Sequence, residues 1–304
     1  MRSERGALRL SAAAAAVLAA IGLAAAVATG SGAILLDGLF NLVFCVTALF
    51  TLRVVQLLDR PDDERYPFGY LSFEPLINTV KGLLILGVSA FALVDAAIAL
   101  AAGGRAVEFG PAAVYAAAAT LACLGVVVAL RRSAPSPLIA ADVETWTVNA
   151  LVSGGVLAGF LLAAWLVRAG HAGAAAYVDP AMVALVVLLS IAIPVRMALT
   201  GLLALLNRAP SPAVVAGMEA LVRASLDGLP VSRVWIRAVQ PGRTAFVTVH
   251  VLVPPLTSLD LAAADRHRGA VIAALAARHA PVVADVVFTA VEAYAAPTAG
   301  YRAS

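Results

Sequence analysis

Three ionisable side chains, Glu74, Lys81 and Asp95, stand inside one apolar stretch of about residues 71 to 101. Charges placed in lipid are expensive and default to a functional reading; a lysine at the centre of a membrane helix costs about 2.5 kcal/mol or more. Glu74 falls at one end of the stretch, where water reaches it. Lys81 lies about two turns deeper. It either snorkels back toward that surface or faces a helix bundle and pairs with an acid, Glu74 at i, i+7 being one choice. Asp95 sits near the opposite end and reads as solvated. Cys45 and Cys123 both lie in apolar runs, which leaves neither a disulfide framework nor a Cys-rich metal cluster. No histidine falls in an apolar stretch: His171 is in a loop, and His250, His267 and His279 come in the last third of the chain. There is no HExxH string, no Walker loop and no nucleophile paired with a base, so the chain does not read as an enzyme.

The elements that must position these groups are membrane helices. Hydrophobic residues are 62% of the 304 and charged residues 13%, against the usual ~45 to 50% and about 25%. Mean hydropathy is +0.96. A soluble globule of this size could not hide so much apolar surface, and a net charge of +3, thinly spread, builds no phosphate-binding face. Six segments are long enough to cross the hydrocarbon as helices, at about 8–29, 32–58, 71–101, 110–130, 139–167 and 179–205. Arg2, Arg5 and Arg9 before an Ala-rich run ending Ala26-Val27-Ala28 imitate a signal peptide. The run is long enough to span, however, and five more spans follow, so it reads as the first of six. Six spans put both termini on one side. Arg2, Arg5, Arg9, Arg53, Arg60, Arg65, Arg131, Arg132 and Arg208 flank the terminal side, against Arg105 and Arg168 opposite. By the positive-inside rule the termini are cytoplasmic.

Residues 1–206 therefore read as a membrane domain and 207–304 as a small water-soluble one. In the tail, Pro210 to Leu226 reads as a helix, with Val214, Met218, Leu221, Val222 and Leu226 on one face. Val231–Val239 and Ala245–Val253 read as strands joined by the turn Gln240-Pro241-Gly242-Arg243. A helix over Leu259–His279 and a strand over Val282–Ala290 follow. The order αββαβ implies a small sheet covered on one face by helices. Within the fifth span, Gly155-x-x-x-Gly159 would permit close helix approach, and Trp146 and Trp165 near its ends fit the interfacial aromatic belt.

Between the second and third spans, Arg60 to Pro75 reads RPDDERYPFGYLSFEP. That loop, of type Pro-Asp-x-Glu-x-x-Pro-Phe-Gly-Tyr, together with six spans, Asp179-Pro180 opening the last one and an αββαβ tail, resembles the cation diffusion facilitator family, dimeric proton-coupled exporters of divalent metals. The resemblance runs from about residue 8 to 292. It implies a six-helix transmembrane bundle followed by a cytoplasmic α+β, ferredoxin-like domain that forms a homodimer.

Members of that family hold the ion between spans two and five, two ligands from each at i and i+4, a spacing that puts both on one helix face. The matching residues here are Asp37 and Asn41 in LLDGLFNLVF, and Thr145 and Asn149 in ADVETWTVNALVSGG. The latter two stand where the family usually carries His or another ligand and Asp. One carboxylate, two amides and a hydroxyl are neutral, hard donors for the most part, so manganese, magnesium or a monovalent ion suits them better than zinc. Asp142 shares a face with Thr145 and Asn149 and is either a relay carboxylate or an interfacial helix-start acid. Cys45, one turn beyond Asn41, is either an extra soft ligand or an inert buried thiol. In the tail, His250 matches a family metal position, while Arg233, Asp265, Thr289 and Val291 stand where other ligands would be. That set is a poor metal site, so the tail reads as a dimer module.

The function this implies is proton-coupled efflux of a divalent cation across the cytoplasmic membrane by alternating access in a homodimer, with no permanently bound cofactor and no nucleic-acid partner. The rival is a membrane scaffold or regulator of the same family with an eroded metal site.

Overall fold

The computed structural model describes residues 4–295 except 59, 62, 134–136, 243 and 280. Asp62 of the loop and Arg243 of the tail turn thus lie outside the described residues. The chain forms two compact units: residues 1–56 with 77–199, and residues 57–76 with 200–304.

The first unit is helical throughout, as backbone amides in lipid require. Six described helical segments have the length and apolarity to cross a membrane. They are carried by α1 (Glu4–Thr29), α2 (Gly32–Leu58), α3 (Phe73–Ala101), α4 (Phe109–Arg131), α5 (Pro137–Arg168) and a last span. In this last span a single turn α6 (Ala172–Ala175) precedes α7 (Val178–Ser190) and α8 (Ala192–Leu205), and Ile191 between the last two stays helical, at φ −58° and ψ −30°, so the span continues through it with one hydrogen bond lost. The loss has a local cause. Pro194 has no N–H for the carbonyl of Ser190, and its ring crowds that carbonyl. Asn207, in the left-handed conformation at φ 56°, then closes α8. The Arg208 amide donates to the Leu203 carbonyl at 3.0 Å and the Asn207 amide to the Ala204 carbonyl at 3.1 Å, the two bonds that end a helix this way.

Packing within this unit depends on small residues. α4 packs against α1 and α5, and α5 against α7. Ile34, Tyr115, Leu130, Phe160, Val183 and Val187 are among its buried core. α1 and α2 cross at Gly22 and Gly38, where a Cβ on Gly38 would come within 2.9 Å of the Leu23 backbone nitrogen. Of the pair Gly155 and Gly159, only Gly159 is pressed, by Met182 of α7, while the Gly155 position meets open space. Trp165 is exposed, as an interfacial residue should be, but Trp146 is buried. Its Nε1 donates to Ser11 Oγ of α1 at 2.8 Å. The belt reading of Trp146 is therefore corrected: the indole finds its hydrogen-bond partner inside the bundle.

The second unit has the order αββαβ. β1 (Arg233–Val239) runs antiparallel to β2 (Ala245–Leu252), and β2 parallel to β3 (Val282–Thr289), in the sheet order β1-β2-β3. A parallel pair needs a crossover, supplied here by α10 (Leu261–His279). α10 lies against α9 (Pro212–Ser225) and β3, and α9 against β1. The alternation of β2 shows which face they cover. Val247, Val249 and Val251 are buried with Met218, Val222, Val271 and Leu275, while Phe246, Thr248, His250 and Leu252 on the other face are half-exposed. A short α11 (Glu292–Ala295) follows β3.

Candidate metal centre

Asp37 of α2 opens onto a small cavity of about 30 Å³, room for one water or one dehydrated ion. Tyr115 of α4, and Asn149 and Ser153 of α5, also line it; most of the remaining wall is apolar, including Ile34, Val156, Met182 and Val183. The Tyr115 hydroxyl donates to Asp37 Oδ2 at 2.6 Å. The space for that hydroxyl comes from α1, because a Cβ on Gly22 would stand 2.6 Å from it. Gly22 thus serves the crossing of two helices and the hydrogen bond behind them.

The four residues implied by the resemblance occupy two levels. Asp37 and Asn149 both line the cavity. Asn41 and Thr145 each stand one helical turn away from them and are not among its lining residues. Asn41 is buried at 1% exposure; its amide nitrogen donates to the Asp37 carbonyl at 2.9 Å, and its Oδ1 has no partner. Thr145 is exposed. Ser153 is the other buried polar group here whose oxygen lacks a partner. An orphaned buried polar oxygen costs roughly 1–3 kcal/mol, so two of them so near one carboxylate are conspicuous. Cys45 is half-buried and does not line the cavity.

Lys81 faces α2 within the bundle. Its Nζ lies 5.0 Å from the ring centroid of Phe44 on α2, a cation–π arrangement. No acid makes an ion pair with it among the described residues.

At the opposite end of α2 lies a second polar cluster. Asp179 is fully buried and accepts hydrogen bonds from Ser31 Oγ at 2.5 Å, the Gly32 amide at 3.0 Å and the Ala33 amide at 3.2 Å. Those amides are the free donors at the start of α2, where a carboxylate also complements the helix dipole. Arg105 pairs with Asp179 at 3.2 Å and also with Asp95. Asp95 is therefore an ion-paired residue and not simply a solvated one. A side chain at Gly32 would run into the Arg105 guanidinium, so the glycine makes the bridge possible.

In the second unit the loop motif folds as a turn around Asp63, whose carboxylate accepts from the Arg65 amide, the Tyr66 amide and the Tyr70 hydroxyl, the last at 2.6 Å. The Tyr70 hydrogen bond, followed by that of Tyr66, holds the Asp63 carboxyl below its ordinary range. Tyr66 stacks at 4.6 Å from Tyr70 and 5.5 Å from Phe73. Gly69, at φ +72°, makes the bend. The hairpin turn at Gly242 lies against Glu74, and a Cβ there would meet the Glu74 carboxylate at 2.6 Å. His250 is half-buried with Nδ1 unpartnered; burial first, then the charge of Arg237, lowers its pKa. Asp265 pairs with Arg268 on its own helix, and among the described residues no group of three or more His, Cys, Asp or Glu could hold a metal.

Sequence reasoning did not find Tyr115, Ser153 or the Arg105 bridge. Tyr115 carried a signal, since a lone phenol in the Ala-rich run AVYAAAAT must find an acceptor if it is to sit in lipid. Ser153 carried none, because a serine within a helix usually satisfies itself on the preceding turn.

The cation efflux transmembrane domain, as a family, matches residues 8–206. No curated protein matches the chain.

Proposed function

The chain belongs to the cation efflux family, a family of transporters, and on that premise we propose that it exports a divalent metal cation in exchange for protons, as a homodimer in the cytoplasmic membrane with both termini and the tail in the cytoplasm. That it is a multi-pass membrane protein whose substrate is a metal cation follows from the family and the six spans. The finer reading rests on one observation: Asp37, the only carboxylate among the described residues that line the cavity, shares that ion-sized space with Asn149. The cation is seated there, and Asn41 and Thr145, one turn nearer the end of the bundle that bears the termini, form the approach to it. Asp37 is the cavity group whose carboxylate form binds a cation and whose acid form releases it, so exchange for a proton needs no other acid. The donors are oxygens, which suits manganese or magnesium better than zinc. The tail contributes a dimer surface, for which the half-exposed face of Trp235, Phe246, His250 and Leu252 is available.

Purified protein in liposomes, scanned over zinc, manganese, iron, cobalt, magnesium and calcium with a pH-sensitive dye inside, tests this directly. Manganese or magnesium flux coupled to opposite proton movement is the expected result. A folded dimer with no flux of any cation would favour the scaffold reading. Orientation is checked in cells: a cysteine at Gly103 should react with an impermeant thiol reagent, and one at Ser133 should be protected.

A further inference from the structure

The spans show a consistent habit among their hydroxyl side chains. Thr47, Thr51, Thr120, Thr147 and Ser190 each donate to the carbonyl four residues back, at 2.7 to 2.8 Å. Such a bond satisfies a hydroxyl without any tertiary partner. Ser153 departs from this habit. It is 5% exposed, its Oγ has no hydrogen-bond partner, and it lines the cavity of Asp37. Asn149 lies one turn earlier on the same helix and lines the same cavity, whereas Thr145, one turn earlier again, does not.

We propose that Ser153 is a ligand of the transported cation, so that α5 contributes Asn149 and Ser153 to the seat. With Asp37 and the Tyr115 hydroxyl this makes four oxygen-bearing side chains around the cavity, three of them neutral. The inference rests on the proposed reading of the cavity as the cation seat and deepens it, because position 153 then sets the chemical class of ion accepted. A neutral hydroxyl favours hard ions such as manganese and magnesium. A sulfur at the same place favours soft ones such as cadmium and zinc.

The test uses the full-length protein in detergent, with manganese and cadmium salts as probes, alongside melting curves for every variant. Asp37→Asn tests the cavity itself and should abolish manganese binding. Ser153→Ala should weaken manganese binding by about tenfold, and Ser153→Thr, which restores a hydroxyl, should recover most of it. Ser153→Cys should gain a cadmium–thiolate absorption band, absent from the parent with its native Cys45 and Cys123, and the band should vanish when Asp37→Asn is added. Loss of manganese binding in Asp37→Asn, with no cadmium band in a Ser153→Cys protein that melts like the parent, would overturn the role of Ser153 and leave the cavity standing. Manganese binding untouched by Asp37→Asn would overturn the cavity as the seat, and Ser153 with it.

Discussion

Asp37 and Asp179 are the same residue type, both within spans of one helical unit, and the protein treats them in opposite ways. Asp179 is saturated: a serine hydroxyl, two amides at the start of α2 and the Arg105 guanidinium all converge on it. Asp37 has one neutral side-chain donor, Tyr115, and an ion-sized cavity beside it. A carboxylate whose lone pairs are all used holds a structure in one arrangement. One that keeps lone pairs free beside a buried cavity is available to a cation or a proton, at a cost in stability that the rest of the bundle must offset. Asp179 is thus held by its neighbours, and Asp37 is left open toward a cavity.

The comparison breaks most decisively at Asp37. Asp37→Asn should leave a folded protein, because the amide still accepts from Tyr115, and should reduce transport in liposomes to background. Transport surviving in this variant would mean that Asp37, like Asp179, only holds the structure together.

Removing the other carboxylate should do the reverse. Asp179→Ala leaves Arg105 with Asp95 as its one ion-pair partner among the described residues and leaves the Gly32 and Ala33 amides uncapped. It should destabilise the protein by about 3 to 5 kcal/mol, as when one partner of a buried pair is lost, seen as a lower melting temperature in detergent. A melting temperature unchanged from the parent would show that the cluster is not structural.

Gly38→Ala probes the support behind Asp37. The new Cβ would stand 2.9 Å from the Leu23 nitrogen and 3.1 Å from the Gly22 carbonyl carbon, both backbone atoms that cannot swing aside. Overpacking of this kind typically costs about 1 to 3 kcal/mol, and the displaced crossing should also weaken cation binding at Asp37. A variant that melts and binds like the parent would mean the crossing has slack.

Adding charge on the facing helix sharpens the contrast. Asn149→Asp supplies a second carboxylate to the cavity and should tighten manganese binding about tenfold, or roughly 1.4 kcal/mol, by calorimetry. Unchanged affinity in a folded variant would place the cation elsewhere than between Asp37 and Asn149.

The smallest effect is expected in the tail. Burial lowers the His250 pKa below its ordinary value, so the unfolded chain binds the proton more readily than the folded one. The stability contribution is full above the ordinary histidine pKa of about 6.5 and falls as pH drops below it. Exchange protection of the β2 amides in the full-length protein should therefore decline on mild acidification, and less so in His250→Asn. Equal declines in both proteins would remove His250 as the cause.

Much of the fold was legible because lipid allows so few solutions. Apolar runs of helix-spanning length, separated by charged or Gly-rich loops, yield six spans. Alternating residues such as Val247 and Val249 against Thr248 and His250 yield the strands of the tail. The hydrogen bond lost near Ile191 is itself local, since Pro194 explains it, yet a length count passes over it. Asp37 and Asn149 were marked by a family pattern and then found on one cavity. Asn41 and Thr145, marked by the same pattern, sit one turn outside it, because the pattern records spacing along each helix and not the depth at which two helices face each other.

By itself, the amino-acid order determined which segments enter the membrane, which stay out, and which few polar side chains must be accounted for inside. Those are one-dimensional properties, since hydrophobicity, helical period and strand alternation accumulate over neighbours in the chain. Only the tertiary structure decided what each polar side chain meets. Asp95 finds Arg105, Arg105 bridges to Asp179 of the last span, Trp146 finds Ser11, Tyr115 reaches Asp37 past Gly22, and Ser153 turns from its own helix. Apart from the first, these partners are separated by dozens of residues or more, and their pairing depends on helix rotation and depth, which packing sets and local sequence does not encode.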